Sequence, residues 1–302
     1  MGPSELEKAT RRLANKFKAK IKVIKGRQLL TRNYPAIHAV GRASDDPPRL
    51  IDLTWGKSTH PKVTLVGKGV CFDTGGLDIK SASGMKLMKK DMGGAAHVLG
   101  LASLLMSTKA KVQLRVLIPA VENNISGNAI RPLDVIQTRS GKTIEIGHTD
   151  AEGRVILADA LFEAANDRPD LIIDFATLTG AARVALGTEI PALFSNDDKF
   201  AEMCLTVGRS VDDTLWRLPL WSDYRRHITG KTADLTNSPD TNFGGAITAA
   251  LFLQEFIKPS IPWVHIDLMA WNTITRPGRP EGGEAMGLRA IYQAILDWVK
   301  KS

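Results

Sequence analysis

Two lysines and five acidic residues fall on two glycine-rich stretches of this 302-residue sequence. Lys68, Asp73, Asp78 and Lys80 lie within residues 67–80, Asp91 follows ahead of Gly93 and Gly94, and Asp150 and Glu152 lie within residues 147–154. Carboxylates gathered on bends, with glycines letting the backbone crowd in, form the oxygen-rich set that hard or borderline divalent cations take. One shared carboxylate can bridge two such ions.

Each residue also has a plainer explanation. Asp150 and Glu152 share a side of an extended segment and could face one ion, or they could cap the helix that begins near Arg154. Asp73 follows a buried strand, where a carboxylate is costly unless paired or metal-bound, but an Asx turn through Thr74 and Gly75 serves equally. Asp91 could be an N-cap, and Asp78 reads as surface or turn. Lys68, between two glycines after a strand, starts inside the fold. Burial and a nearby dication would lower its pKa until the neutral amine could ligate. Lys80 could stay charged and polarise a carbonyl oxygen. For both lysines, phosphate binding or a salt bridge to the nearby acids is the alternative.

Strands alternating with helices must position these residues. Residues 5–18 predict an amphipathic helix, and 21–24 and 49–53 predict strands. A buried strand at 63–66 runs into the first glycine-rich bend. Helices are expected at 93–106, 154–166, 178–186, 199–207, 246–257 and 287–299, and strands at 112–118, 170–175 and 263–268. Residues 135–146 read as a hairpin turning at Ser140-Gly141. The alternation implies a three-layer α/β/α fold around a mixed, largely parallel sheet. Ligands in such sheets sit beyond the carboxyl ends of the strands, where both motifs fall. Residues 273–287 read as a long loop of the kind that carries function.

Composition narrows the classes. Hydrophobic content of 43% and charged content of 24% are those of a globular chain. No apolar run reaches the roughly 18 to 20 residues that span a bilayer. The polar N-terminus lacks an apolar signal segment and two cysteines make no disulfide framework, so the expected compartment is the cytoplasm. The formal charge of +8 invites nucleic acid, but the basic residues are scattered and lie in no recognisable binding motif. The Gly-Lys-Thr at 141–143 lacks the leading glycine of a P-loop, since Ile136 stands there, and the six histidines form no zinc spacing.

Taken together, the runs from Gly67 to Ala96, the His148-Thr149-Asp150-Ala151-Glu152-Gly153-Arg154 signature and Thr177-Leu178-Thr179-Gly180 resemble the leucyl (cytosol) aminopeptidase family. The resemblance covers most of residues 45–300 and implies a two-metal exopeptidase that attacks the first peptide bond with a metal-bridging water. It implies metal ligands Lys68, Asp73, Asp91, Asp150 and Glu152, with Asp73 and Glu152 bridging two ions (zinc or manganese, with magnesium the further choice). It implies catalytic roles for Lys80, at the oxyanion, and Arg154, holding a bicarbonate. Met88, Thr177, Leu178 and Gly180 match substrate-pocket positions, and His148, replacing the usual asparagine, stands beside the ligands. The expected substrates are peptides with apolar N-terminal residues such as leucine, and the expected assembly is a homo-hexamer. One catalytic domain is expected over residues 1–302, with 1–55 a lead-in, 56–302 the metallopeptidase core, and the family's separate N-terminal domain absent. Met269-Ala270-Trp271 stands where the family carries smaller residues. The competing expectation is a DNA-binding or scaffold protein that keeps the fold.

Overall fold

Leu171–Ala176 is a run of six buried residues, as a strand covered on both faces requires. It lies at the centre of the architecture. The computed structural model describes residues 1–300. In chain order its strands are β1 (Lys20–Lys25), β2 (Arg49–Trp55), β3 (Lys62–Gly67), β4 (Gly69–Asp73), β5 (Gln113–Asn123) and β6 (Val135–Gln137). There follow β7 (Thr143–Glu145), β8 (Leu171–Ala176), β9 (Ala192–Ser195), β10 (Trp216–Arg217), β11 (Leu235–Thr236) and β12 (Trp263–Asp267). Nine strands form one mixed sheet in the order β1-β2-β5-β3-β8-β12-β9-β10, with β4 paired to β5. Its centre is parallel: Leu65 lies opposite Val116 and Ile173, and Ile266 lies opposite Phe175.

Side chains alternate across this sheet, as the pleat dictates. Ile51, Leu53, Leu65, Ile173 and Phe175 face one core, under the helices Pro3–Phe17, Gly93–Ser107, Asp198–Ser210 and Leu288–Val299. Leu50, Val66, Leu117 and Ile172 face the other, under Pro35–Gly41, Glu152–Asn166 and Gly245–Gln254. The fold is the three-layer α/β/α arrangement expected from the alternation.

Three features depart from the local reading. The first glycine-rich bend is a strand shift: β3 ends at Gly67, and β4 resumes along β5 up to Asn123. The helix Pro35–Gly41 carries no local capping signal, because its cap comes from a distance: Asp159 Oδ2 accepts from Ala36 N and Ile37 N at 2.9 and 3.2 Å. Strand β9 is only four residues long and is defined by antiparallel pairing with β12. The hairpin at 135–146 forms as expected, with Ile136 opposite Ile144.

Candidate active site

Lys68 fills the gap between β3 and β4. Its N–H donates to Phe175 O at 3.0 Å, and its carbonyl accepts from Ala95 N at 2.8 Å. The helices Gly93–Ser107 and Glu152–Asn166 start against it, and glycines make that approach feasible. A Cβ on Gly94 would lie 2.1 Å from Phe175 O, and one on Gly153 would lie 2.5 Å from Lys68 Cε. The Lys68 ammonium meets Asp91 Oδ2 at 2.8 Å, Glu152 Oε1 at 3.1 Å and Thr177 O at 2.9 Å.

Asp73 closes β4. Its Oδ1 accepts from Gly75 N and from Asn123 Nδ2, each at 2.9 Å, so the Asx turn read as an alternative coexists with the cluster. Its Oδ2 pairs with Lys80 Nζ at 2.9 Å, and Lys80 also pairs with Asp150. Asp91 Oδ1 accepts from Thr177 Oγ1 at 2.7 Å. Oxygens of Asp73, Asp91 and Glu152 lie within 4.8 Å of one another, and all three residues are buried. Glu152 Oε1 and Asp91 Oδ2 touch Lys68 as ion contacts without hydrogen-bond alignment, and Glu152 Oε2 has no hydrogen-bond partner. Buried carboxylate oxygens with unfilled acceptor capacity, converging on one point, suit a hard divalent cation.

Electrostatics express the same crowding. Burial pushes Glu152 up to about 8, with Asp73 adding to it and Lys68 opposing. Asp150 rises to about 6 through burial and the Asp73 charge. Asp91 is also raised, by burial against the pull of Lys68. The expected lowering of Lys68 is reversed: burial does oppose its charge, but Asp91, Glu152 and Asp73 together hold the ammonium above its ordinary pKa. Lys80 is raised in the same way by Asp73 and Asp150, again against burial. Burial raises both Asp91 and Glu152, and one shared ammonium does not offset it for the two together. Burial draws Arg154 down to about 10, and its Nε and Nη1 have no hydrogen-bond partner.

These groups line a cleft of about 390 Å³ together with Met88, Thr177, Leu178 and Gly180. His148 stands apart from that lining, half exposed, with Nδ1 accepting from Asp150 N at 3.1 Å. Thr177 does more than wall the cleft, since its hydroxyl orients Asp91. Four positioning residues escaped the sequence reading. Asn123 Nδ2 ties Asp73 to Thr149 O. Asp78 and Thr149 bond reciprocally, Thr149 Oγ1 accepting from Asp78 N and Asp78 Oδ2 from Thr149 N, each at 2.8 Å, which staples the two motifs together. Asp267 accepts from Leu178 N, Thr179 N and Thr179 Oγ1 and so sets the 177–180 loop. An acid closing an apolar strand was the available signal for Asp267, as it was for Asp73.

Comparison with known proteins places this geometry. The family model for the catalytic domain of the cytosol aminopeptidase family matches residues 1–292. A protein of Sinorhizobium medicae named "Probable cytosol aminopeptidase" is 42% identical over 301 residues, 98% of this chain and 60% of that protein. The chain thus spans about three fifths of the length of such relatives. The crystal structure of cytosol aminopeptidase from Coxiella burnetii superposes with a TM-score of 0.96 at 59% identity, covering 99% of this chain and 65% of that one. The bottromycin maturation enzyme BotP in complex with Mn superposes with a TM-score of 0.94 at 38% identity, covering 99% and 66%. A match that runs through both strand-end motifs and nearly the whole sheet leaves one assignment: the chain belongs to the cytosol aminopeptidase family.

Proposed function

We propose that the protein is a metal-dependent aminopeptidase that hydrolyses the N-terminal peptide bond of peptides. The observation that carries this reading is the convergence of buried oxygens of Asp73, Asp91 and Glu152, among which Asp91 Oδ2 and Glu152 Oε1 meet only the Lys68 ammonium and Glu152 Oε2 has no partner. Asp150 and Lys68, the lysine as its neutral amine once ions replace its proton beside Asp91 and Glu152, would complete a set able to hold two divalent ions, and the manganese in BotP supports that metal. Bound there, such ions would supply a hydroxide-like nucleophile near neutral pH and an anchor for the substrate's free amine.

The remaining work falls to the chain's own residues. Lys80, held charged at the cleft, is placed to donate to the carbonyl oxygen as negative charge builds on it. Arg154 stays protonated and cannot be the base. Its free Nε and Nη1 suit a small oxyanion such as bicarbonate, which would accept the proton. Thr177 and Asn123 hold Asp91 and Asp73 in place. A leucine preference has support in Met88 and Leu178, but the same cleft also presents Lys90 and Arg183. The family resemblance further supports a homo-hexamer, and the relatives' name supports a cytosolic place. Among the described residues no helix is long and apolar enough to cross a membrane.

The direct test is turnover of a leucine anilide with added Mn²⁺ or Zn²⁺. No hydrolysis by the metal-loaded protein would refute the reading. Glu152→Ala should abolish activity and leave the fold intact. Solution mass tests the hexamer: sixfold the chain mass supports it, and a monomer rejects it.

A further inference from the structure

Five cations line the cleft, and they divide by partner. Lys68 bridges Asp91 and Glu152, and Lys80 bridges Asp73 and Asp150. Arg154 faces the carboxylate cluster. Lys90 and Arg183 differ: among the described residues neither has a carboxylate at ion-pair distance nor a side-chain hydrogen bond. Lys90 ends the single turn Met88–Lys90 and is only 5% exposed. Arg183 lies on the helix Gly180–Leu186, its Nη2 3.7 Å from where a Cβ on Gly180 would stand. The two charges are close enough to oppose each other.

The nearest acids are already engaged. Asp91 is shared between Lys68 and Thr177, and Asp267 is taken up by Leu178 N and Thr179. A buried ammonium whose nearby carboxylates, Asp91 and Asp267, are engaged elsewhere is unfavourable, and it is relieved either by giving up its proton or by a ligand that brings a negative charge. We infer that this cleft is built for an acidic side chain, with Lys90 and Arg183 receiving the carboxylate of an N-terminal glutamate or aspartate. The inference rests on the aminopeptidase reading. Lys90 and Arg183 line the same cleft as the carboxylate cluster, and an exopeptidase must hold the first side chain inside such a cleft while the rest of the peptide leaves it. Met88, Leu178 and Ala181 offer apolar wall for the aliphatic stem. Charge-assisted contacts on a desolvated carboxylate then set the preference over a neutral isostere.

The test is kcat/KM for the anilides of Glu, Gln, Asp, Leu and Lys on the full, metal-loaded chain. Anilides carry no C-terminal carboxylate, so the first side chain alone is read. Glu should exceed Gln by about ten- to a hundredfold, the scale of a buried charge-assisted contact. Lys90→Met and Arg183→Leu should each cut that ratio about tenfold, and Lys90→Arg should retain it. Thermal unfolding supplies a readout free of turnover: L-glutamate should raise Tm more than L-glutamine in the wild type but not in Lys90→Met. A Glu-to-Gln ratio near one beside good Leu turnover overturns the acidic pocket and leaves the aminopeptidase standing, as does a ratio unmoved by both variants. No turnover of any anilide, with a glutamate-specific Tm shift that Lys90→Met removes, supports the pocket and sinks the aminopeptidase. Neither turnover nor shift rejects both.

Discussion

Gly153→Ala sets two effects of opposite sign against each other at the centre of the site. Gly153 is the second residue of the helix Glu152–Asn166, where alanine gains at most about 1 kcal/mol over glycine. The added methyl would stand 2.5 Å from Lys68 Cε, 2.8 Å from Nζ and 2.9 Å from Cδ. A free lysine would swing aside at little cost, but this one is pinned by Asp91 Oδ2, Glu152 Oε1 and Thr177 O. Displacing it breaks a buried ion pair, worth about 3–5 kcal/mol when one partner is lost. The balance is a net loss of about 2–4 kcal/mol in urea unfolding. Gly127→Ala is the control, since nothing lies within 4 Å of the added methyl and no loss is expected. A double-mutant cycle isolates the cause: Gly153→Ala in a Lys68→Ala background should cost almost nothing, because the clash has no partner. Wild-type stability in Gly153→Ala, or an equal loss in the Lys68→Ala background, would refute the claim that Lys68 is clamped.

Three further outcomes follow from other contacts. Asn123→Ala removes one hydrogen bond to the Asp73 carboxylate and one to Thr149 O, and should lower Mn²⁺ affinity about 10- to 100-fold in a titration followed by calorimetry. Mn²⁺ at a hundred times its Kd should raise the unfolding free energy by about 2.7 kcal/mol over the EDTA-treated protein, and Glu152→Ala should lose that gain. Asp159 supplies the pH dependence. Burial pushes its carboxyl up to about 7, against the N–H groups of Arg139, Ile37 and Ala36 that favour its charge. The unfolded carboxyl loses its proton near pH 4 and the folded one near 7, so the folded state holds the extra proton between them and stability falls as pH rises through that window. The stability of wild type relative to Asp159→Asn, measured by urea unfolding at pH 4 and pH 8, should therefore drop by up to about 4 kcal/mol; a flat difference would refute the shift.

Much of the sheet was legible because its strands carry their own signal. Leu171–Ala176 and Trp263–Asp267 are buried on both faces and read as apolar runs. Elements specified by distant partners were not legible: Pro35–Gly41 takes its cap from Asp159, 122 or more residues away, and Ala192–Ser195 is a strand through its pairing with Val264–Asp267 on one side and Trp216–Arg217 on the other. The site shows the same division. The acids and lysines announce themselves by type and by the glycines around them. Asn123, Asp78 and Thr149 do not, because their roles exist only where β5 and the two motif loops meet. Lys90 is one of many scattered basic residues in the sequence; its meaning comes from burial beside the site.

The charge balance of the cleft links these observations. Asp73, Asp91, Asp150 and Glu152 bring four carboxylates to one place, and Lys68 and Lys80 are the ammonium groups they pair with. Arg154 adds a charge at the edge of the cluster, but burial still pushes Glu152 up to about 8, so protons occupy part of the cluster near neutral pH. Cations that enter must displace those protons, so their affinity has to strengthen as pH rises. Two dications would balance all four carboxylates and release Lys80 from Asp73 and Asp150, leaving its ammonium free to face a substrate oxygen. On that count the lysines and the ions compete for the same carboxylates. Lys90 and Arg183 form no ion pair with these four carboxylates among the described residues, which leaves them to meet a charge on the substrate.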